Sequence, residues 1–483
     1  MQVTLRSITV LLGLVICLAF PYAHATNGYF KIGYGSKNRG MAGAGVAFGQ
    51  DATAAAINPA TMADVGHRAD AGVELFSPRR ESKLDATGLG VPGLGSGANT
   101  GTVDSGADYF LIPSAGYVKP LGNGLTVGVS FVANGGMNTR YKRNIYTEGF
   151  GPAIPAFATA LKTPPPAGPG VPASIVDPNV AALFANPNLT PALGVNLAQG
   201  ILLPTVAKKL NDKHTVGASL LLGAQTFRAY GLGLFQGLSS RPDKVTNNGN
   251  DWAFGVGARI GWTGKFTDKI TVGASAASKI YMQEFDDYKG LFAEDGDFDI
   301  PANFSVGVAV RPTAKITVAF DVLRILYSDV RAINNKGPTA DELLSAFVGM
   351  LTSDPSAISN PLGTDSGWGF GWENITVYKL GVDYVHNDKW TFRGGVNYGE
   401  QPYDDKEVLF NVLAPAVVKT HLTLGFSYSP SPRHEISMTY MRAFQENQSF
   451  NYTSTPPGFP PQSYQVKHGM DQYALEAAYA WRF

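Results

Sequence analysis

The sequence predicts an all-β chain, a 14-stranded antiparallel transmembrane β-barrel with an N-terminal plug in its lumen, and three observations carry that prediction. Near the C-terminus Tyr473, Leu475, Ala477, Tyr479, Trp481 and Phe483 share one face. Such period-two alternation puts an apolar row on one side of a pleat, and only a closed barrel can turn that row to lipid without leaving backbone groups unpaired. The connections between candidate strands alternate strictly between short and long. Composition agrees: charged residues are 16%, against roughly 25% in an average soluble domain, while aromatics reach 11%.

Residues 1–25 read as a signal peptide. Arg6 precedes an apolar run from Ile8 to Phe20, and Ala23-His24-Ala25 supplies small residues at −3 and −1. The single cysteine, Cys17, lies in that leader and follows Ile16, where a lipoprotein signal needs a small residue. Thiol chemistry, disulfides and thiolate metal sites are therefore not expected. A formal net charge of +0 argues against a nucleic-acid partner.

Residues 26–67 are rich in Gly and Ala, low in charge, and end in Ala54-Ala55-Ala56-Ile57-Asn58-Pro59-Ala60-Thr61-Met62. A small-residue segment ahead of a barrel wide enough to hold it reads as an internal plug. The barrel then occupies 68–483, with strands expected at 69–80, 108–119, 125–138, 196–208, 214–227, 252–263, 270–281, 302–311, 316–327, 375–385, 390–398, 417–428, 435–444 and 471–483. Short polar turns at 120–124, 209–213, 264–269, 312–315, 386–389 and 429–434 alternate with long connections at 81–107, 139–195, 228–251, 282–301, 328–374, 399–416 and 445–470. All long loops thus leave from one end, the topology of barrels with short periplasmic turns. One strand tests the dimensions. Trp252, Phe254, Val256, Ala258, Ile260 and Trp262 share a face, and ten steps of about 3.3 Å tilted by roughly 40° rise about 25 Å, the height of the apolar band between aromatic girdles.

Within the long loops, Thr339-Ala340-Asp341-Glu342 reads as a capping box ahead of Leu343, Leu344, Phe347, Val348 and Leu351 at helical spacing. Pro164-Pro165-Pro166 and the apolar Ala181, Leu183, Phe184, Leu189 and Leu193 read either as a cap over the barrel or as a landing surface for a hydrophobic ligand. The acidic Glu294, Asp295, Asp297 and Asp299 lack EF-hand spacing and read as a solvated loop; no metal and no cofactor is expected.

Asn27-Gly28-Tyr29-Phe30, the run from Arg39 to Ala47, Asp51 and Asn58-Pro59-Ala60 resemble the N-terminal hatch of the FadL-type (OmpP1/FadL/TodX-like) outer-membrane transporters of long-chain fatty acids and other hydrophobic compounds. Val408 to Val418 with His421 to Phe426, Asp321 with Tyr327 to Val330, and Gly367 to Trp372 are similar to later family segments, so the likeness spans nearly the whole mature chain. The resemblance implies capture of a hydrophobe by outer loops, storage in the lumen and sideways release beside an inward kink in the third strand, with the Asn-Pro-Ala turn against the kink. Here the turn maps to Asn58, Pro59 and Ala60, and Asn134-Gly135-Gly136 interrupts the third strand where glycine commonly marks a bend. By alternation Arg259, Lys279, Arg311, Lys379 and Arg393 point inward with Asp321 and Asp383, as a balanced ladder or as contacts for a fatty-acid carboxylate.

The expected function is passive uptake of fatty acids, alkanes or monoaromatics by a monomeric outer-membrane barrel. Its surroundings would be membrane lipid and lipopolysaccharide, with Phe483 read by the barrel-assembly machinery. Two alternatives are an outer-membrane lipid-modifying enzyme, for which a lumenal His421 exists but no Gly-x-Ser-x-Gly elbow, and a structural or adhesive barrel, including one serving as a phage receptor.

Overall fold

The computed structural model describes residues 27–162 and 192–483. The leader and the Pro164-Pro165-Pro166 region lie outside the described residues. Fourteen antiparallel strands form one closed ring. They are β1 (Arg68–Asp85), β2 (Phe110–Gly122), β3 (Leu125–Asn138), β4 (Gly194–Lys209), β5 (His214–Tyr230), β6 (Asp251–Thr267), β7 (Ile270–Ala277), β8 (Asn303–Thr313), β9 (Ile316–Ile325), β10 (Ile375–Val385), β11 (Trp390–Gly399), β12 (Thr420–Ser431), β13 (His434–Ser454) and β14 (Gln462–Arg482). The ring closes where β1 pairs with β14, from Arg68↔Arg482 through Asp85↔Gln465. Trp252, Phe254, Val256 and Ile260 are exposed on the outer wall, as a lipid-facing row must be. No described helix is long and apolar enough to cross a membrane.

Two expected boundaries are corrected. The connection at 445–470 is mostly strand: β13 and β14 each run 21 residues, about twice the 9–11 that cross a bilayer, and only 455–461 joins them. Beyond a register shift between Ala443 and Glu446 the hairpin continues through Glu446, Asn447, Gln448 and Ser449. Water-facing strands need no apolar row, so alternation fades there although the ladder continues. In the other direction, β7 stops at Ala277, and the chain pairs with β6 again at Tyr281 and Met282.

Residues 27–67 pack inside the ring, and glycines in the wall make room for them. A Cβ at Gly116 would meet the Ala52 backbone, at Gly217 Pro59, at Gly261 Asn58, at Gly273 Val46, and at Gly381 and Gly395 Met41. Ions fasten the same segment. Its short helix α1 (Ser36–Gly40) brings Arg39 to Glu74 at 2.8 Å and to Glu476 at 3.4 Å, Lys31 reaches Glu74 at 2.5 Å, and Lys37 pairs with Glu435. From the wall, Asp321 accepts hydrogen bonds from the backbone N–H groups of Gly45 and Val46 at 2.6 and 3.0 Å.

The outer loops carry α2 (Ile145–Phe150), α3 (Ile154–Leu161) and α4 (Ala340–Thr352). The capping box on α4 forms as expected between Thr339 and Glu342. In the loop after β7, Lys279 pairs with Asp299 at 3.1 Å, while burial, then Asp299 and Glu294, push the Asp297 carboxyl up to about 7. The expected solvated acidic loop is thus partly buried, because Phe292 and Phe298 draw it inward.

Two outcomes follow. Gly273→Leu should leave the heat-modifiable barrel intact but displace the hatch, so that conductance in planar bilayers rises; wild-type conductance would show that the hatch does not need this contact. The folded loop favours neutral Asp297, so its contribution is present at acid pH and is lost as pH rises from about 4 through about 7. Hydrogen exchange at 286–300 should accelerate across that window, and Asp297→Asn should abolish the trend.

Candidate functional site: an aromatic path to an opening in the wall

The ladder between β2 and β3 ends at Ser114↔Val132, yet β2 stays paired with β1 to Phe76↔Phe110. On its other side β3 shifts register between Ala133 and Gly135 and continues on β4 to Asn138↔Asn196. The two strands therefore part over the outer half of β3, and Pro113 gives the freed edge of β2 a residue with no N–H. The hatch takes the vacated inner side: Lys31 N–H donates to the Asn134 carbonyl at 3.1 Å, Gly136 N–H to the Tyr29 carbonyl at 3.2 Å, and Phe30 bridges Gly135. Above the opening, the Arg80 guanidinium donates to the carbonyls of Asn138 and Ala107, strapping the end of β3 to the chain leading into β2.

The structure thus brings Asn134, Gly135 and Gly136 to an interrupted wall but separates them from Asn58-Pro59-Ala60. Asn58 Nδ2 donates to the carbonyls of Val46 at 2.7 Å and Trp262 at 3.0 Å, and Pro59 sits on Gly217, so this turn lies against β5 and β6. Contact of the Asn-Pro-Ala turn with the kink is therefore corrected: Tyr29, Phe30 and Lys31 make it.

The five basic candidates all meet groups of the protein. Arg259 donates to the Ile57 carbonyl at 3.1 Å and to Asn303 Oδ1 at 3.2 Å. Lys379 donates to the Ile32 carbonyl at 3.0 Å. Arg393 pairs with Asp383 at 2.8 Å and donates to Gln50 Oε1 at 2.9 Å. Arg311 lies over the Phe48 ring at 5.4 Å, and Lys279, outside β7, meets Asp299 and the Tyr281 ring. Four of them therefore serve to hold the hatch or its flanking wall. His421 is fully buried in the lumen, paired across the ladder with Asn397 of β11.

Apolar space lies elsewhere. A groove of ≈20 Å³ runs between α3 and α4, lined by Phe150, Ile154, Phe157, Leu344, Phe347 and Phe459. A second cavity of ≈40 Å³ lies deeper, among Val195, Phe227, Phe235, Phe292, Trp368 and Phe410. A concavity of ≈680 Å³ lies on the lipid-facing side of the outer wall, lined by Ile260, Trp262, Phe304 and Val306. Rings join the first two. Phe347 to Phe150 is 6.0 Å between centroids, Phe150 to Tyr146 6.5 Å, Tyr146 to Phe235 5.1 Å and Phe235 to Phe410 5.5 Å. On the far side Phe292 to Phe298 is 4.8 Å, Phe298 to Tyr29 6.3 Å and Tyr29 to Phe30 5.3 Å, and Phe30 is the residue on Gly135. Two aromatic series, separated by the inner cavity whose lining includes members of both, thus reach from the outer groove to the opening. Of these rings Phe347, Phe410 and the Tyr29-Phe30 pair stood out in the sequence; the concentration of Phe in the long loops was the available signal for the others.

The same architecture recurs in solved structures. The Pseudomonas putida toluene transporter TodX aligns with TM-score 0.59 at 17% identity, over 94% of this chain and 99% of that one. The Ralstonia pickettii toluene transporter TbuX gives 0.54 at 18%, over 94% and 99%. A Pseudomonas aeruginosa FadL homologue gives 0.59 at 16%, over 96% and 100%. No curated protein sequence matches the chain. Residues 191–483, more than half the sequence, match the family described as outer membrane protein transport protein (OMPP1/FadL/TodX), and the chain is an outer-membrane β-barrel belonging to that family of hydrophobic-compound transporters.

Proposed function

We propose that this protein takes up compact, uncharged hydrophobes passively, captures them in the groove between α3 and α4, holds them in the cavity around Phe235 and Phe410, and releases them sideways between β2 and β3. The single observation that carries this reading is the inner cavity that lies between an aromatic series from the outer groove and a second one ending at the opening. The lining favours a neutral ligand. Apart from Trp368, the cavity side chains are aliphatic or Phe, and a carboxylate taken there without a partner would cost several kcal/mol. Size ranks the two classes: at ≈40 Å³ the cavity is smaller than the roughly 150 Å³ that holds a benzene ring, so a monoaromatic requires the lining side chains to move and a long acyl chain requires far more. TodX and TbuX are toluene transporters, and CymD is a monoaromatic hydrocarbon channel; monoaromatics are the class we assign here ahead of long-chain fatty acids. Arg259, Lys379 and Arg393 act in this scheme as hatch anchors. The enzyme alternative predicts ester hydrolysis by the purified barrel that disappears in His421→Ala.

Uptake of labelled toluene into cells carrying Gly135→Val should fall at least tenfold with normal barrel assembly, because the side chain displaces Phe30 from the opening; unchanged uptake would sink lateral release. Filling the cavity with Ala332→Trp should weaken toluene binding by about tenfold and leave the outer groove accessible. Equal toluene affinity in the two proteins would place the storage site elsewhere.

A further inference from the structure

Trp368 and Trp372 stand four residues apart in Gly367-Trp368-Gly369-Phe370-Gly371-Trp372. Both are buried, at 3% and 0% exposure, but their indole N–H groups fare differently. Trp372 Nε1 donates to Asn411 Oδ1 at 2.6 Å. Trp368 Nε1 has no hydrogen-bond partner. A buried donor left unmade is costly, so such groups normally find an acceptor. Trp368 also lines the inner cavity, where its Nε1 is the only side-chain nitrogen or oxygen among the described lining residues.

The geometry points to a role for that orphan donor: we infer that Trp368 Nε1 is a specificity-determining hydrogen-bond donor for a ligand in the cavity. The favoured ligand is then a compact neutral hydrophobe carrying one acceptor oxygen, such as an aromatic ketone, aldehyde or ester, rather than a bare hydrocarbon. This rests on the storage role proposed for the cavity and adds the chemistry it selects. The apolar walls accept the ring of either compound; only the oxygenated one satisfies the indole. An indole N–H is a donor only, so the preference falls on acceptors and gives nothing to a ligand that only donates. Trp368 also borders a polar cleft of ≈650 Å³ among Lys336, Thr339, Glu342, Glu407 and Tyr452, so the residue stands between a polar and an apolar space.

Acetophenone and ethylbenzene form the test pair, since they match in size and differ by the carbonyl. Binding of each to the full-length barrel in detergent micelles is measured by titration calorimetry and corrected for partition into protein-free micelles. The wild-type protein should favour acetophenone by roughly three- to tenfold, the usual net worth of one buried hydrogen bond. Trp368→Phe should remove that preference while ethylbenzene affinity stays within twofold. In the wild-type protein the Trp368 indole ¹⁵N–¹H resonance should move downfield with acetophenone and not with ethylbenzene, a readout that does not depend on the variant folding. A wild-type preference that survives Trp368→Phe, no preference at all, or an unmoved resonance overturns the donor role. Ethylbenzene binding and uptake that persist in those cases leave the transport reading standing; a wild-type protein that binds neither compound overturns both.

Discussion

The structure depends on backbone lying directly on backbone across the lumen. A hatch can fill a fourteen-stranded ring only if the wall gives up its side chains where the hatch passes, and Gly116, Gly217, Gly261, Gly273, Gly381 and Gly395 do so on six different strands. The hatch reciprocates with Ala42, Ala44, Ala47, Ala52, Ala55 and Ala60, all buried. Small residues on both sides leave little apolar area to hold the contact, at about 25 cal/mol per Å², so polar groups finish the work. Asp321 clasps the Gly45 and Val46 amides, Asn58 the Val46 and Trp262 carbonyls, and Tyr327 Oη donates to the Asn27 carbonyl at 2.6 Å.

That division explains where the charges went. Hatch cations meet wall carboxylates at Glu74, Glu435 and Glu476, and wall cations meet hatch acceptors at Ile32, Gln50 and Ile57. Removing one member of such a buried set leaves an uncompensated charge, at about 3–5 kcal/mol. A ligand carboxylate recruited to Arg393 or Lys379 would have to break one of these sets first. Apart from Tyr29 and Phe30 the ring residues belong to the outer loops, so on the proposed route an uncharged ligand meets none of these ion pairs before it reaches the hatch.

The fold was legible because lipid enforces alternation: rows such as Phe304 and Val306, or Leu422 and Leu424, repeat the period that the bilayer demands, and all four side chains are exposed. Where lipid ends, the signal ends, and β13 and β14 run on past Ala443 unannounced. Asn134-Gly135-Gly136 was readable as a bend, since glycine in a strand interior has few other uses. What the bend touches was not, because Tyr29 and Phe30 lie about a hundred positions away and nothing local couples them. The cavity was hidden for the same reason: Val195, Phe227, Phe292, Trp368 and Phe410 come from five separate segments, and each alone reads as loop packing.

The interrupted ladder between β2 and β3 carries a cost that a closed ring would avoid, since edge N–H and C=O groups facing hydrocarbon are each worth several kcal/mol. The hatch recovers part of it by lending Tyr29 and Lys31 to β3, and Arg80 recovers more by bonding two carbonyls at the upper rim. Under the lateral release proposed above, what the opening offers in return is set by the cargo. A hydrophobe leaving through water loses about 0.8 kcal/mol for each CH₂-sized group exposed, a barrier that grows with the molecule. Leaving sideways into the bilayer avoids that barrier at every size. A fixed expense in strand pairing thus replaces a cost that scales with the ligand, and the trade favours an open seam for any cargo beyond a few carbons.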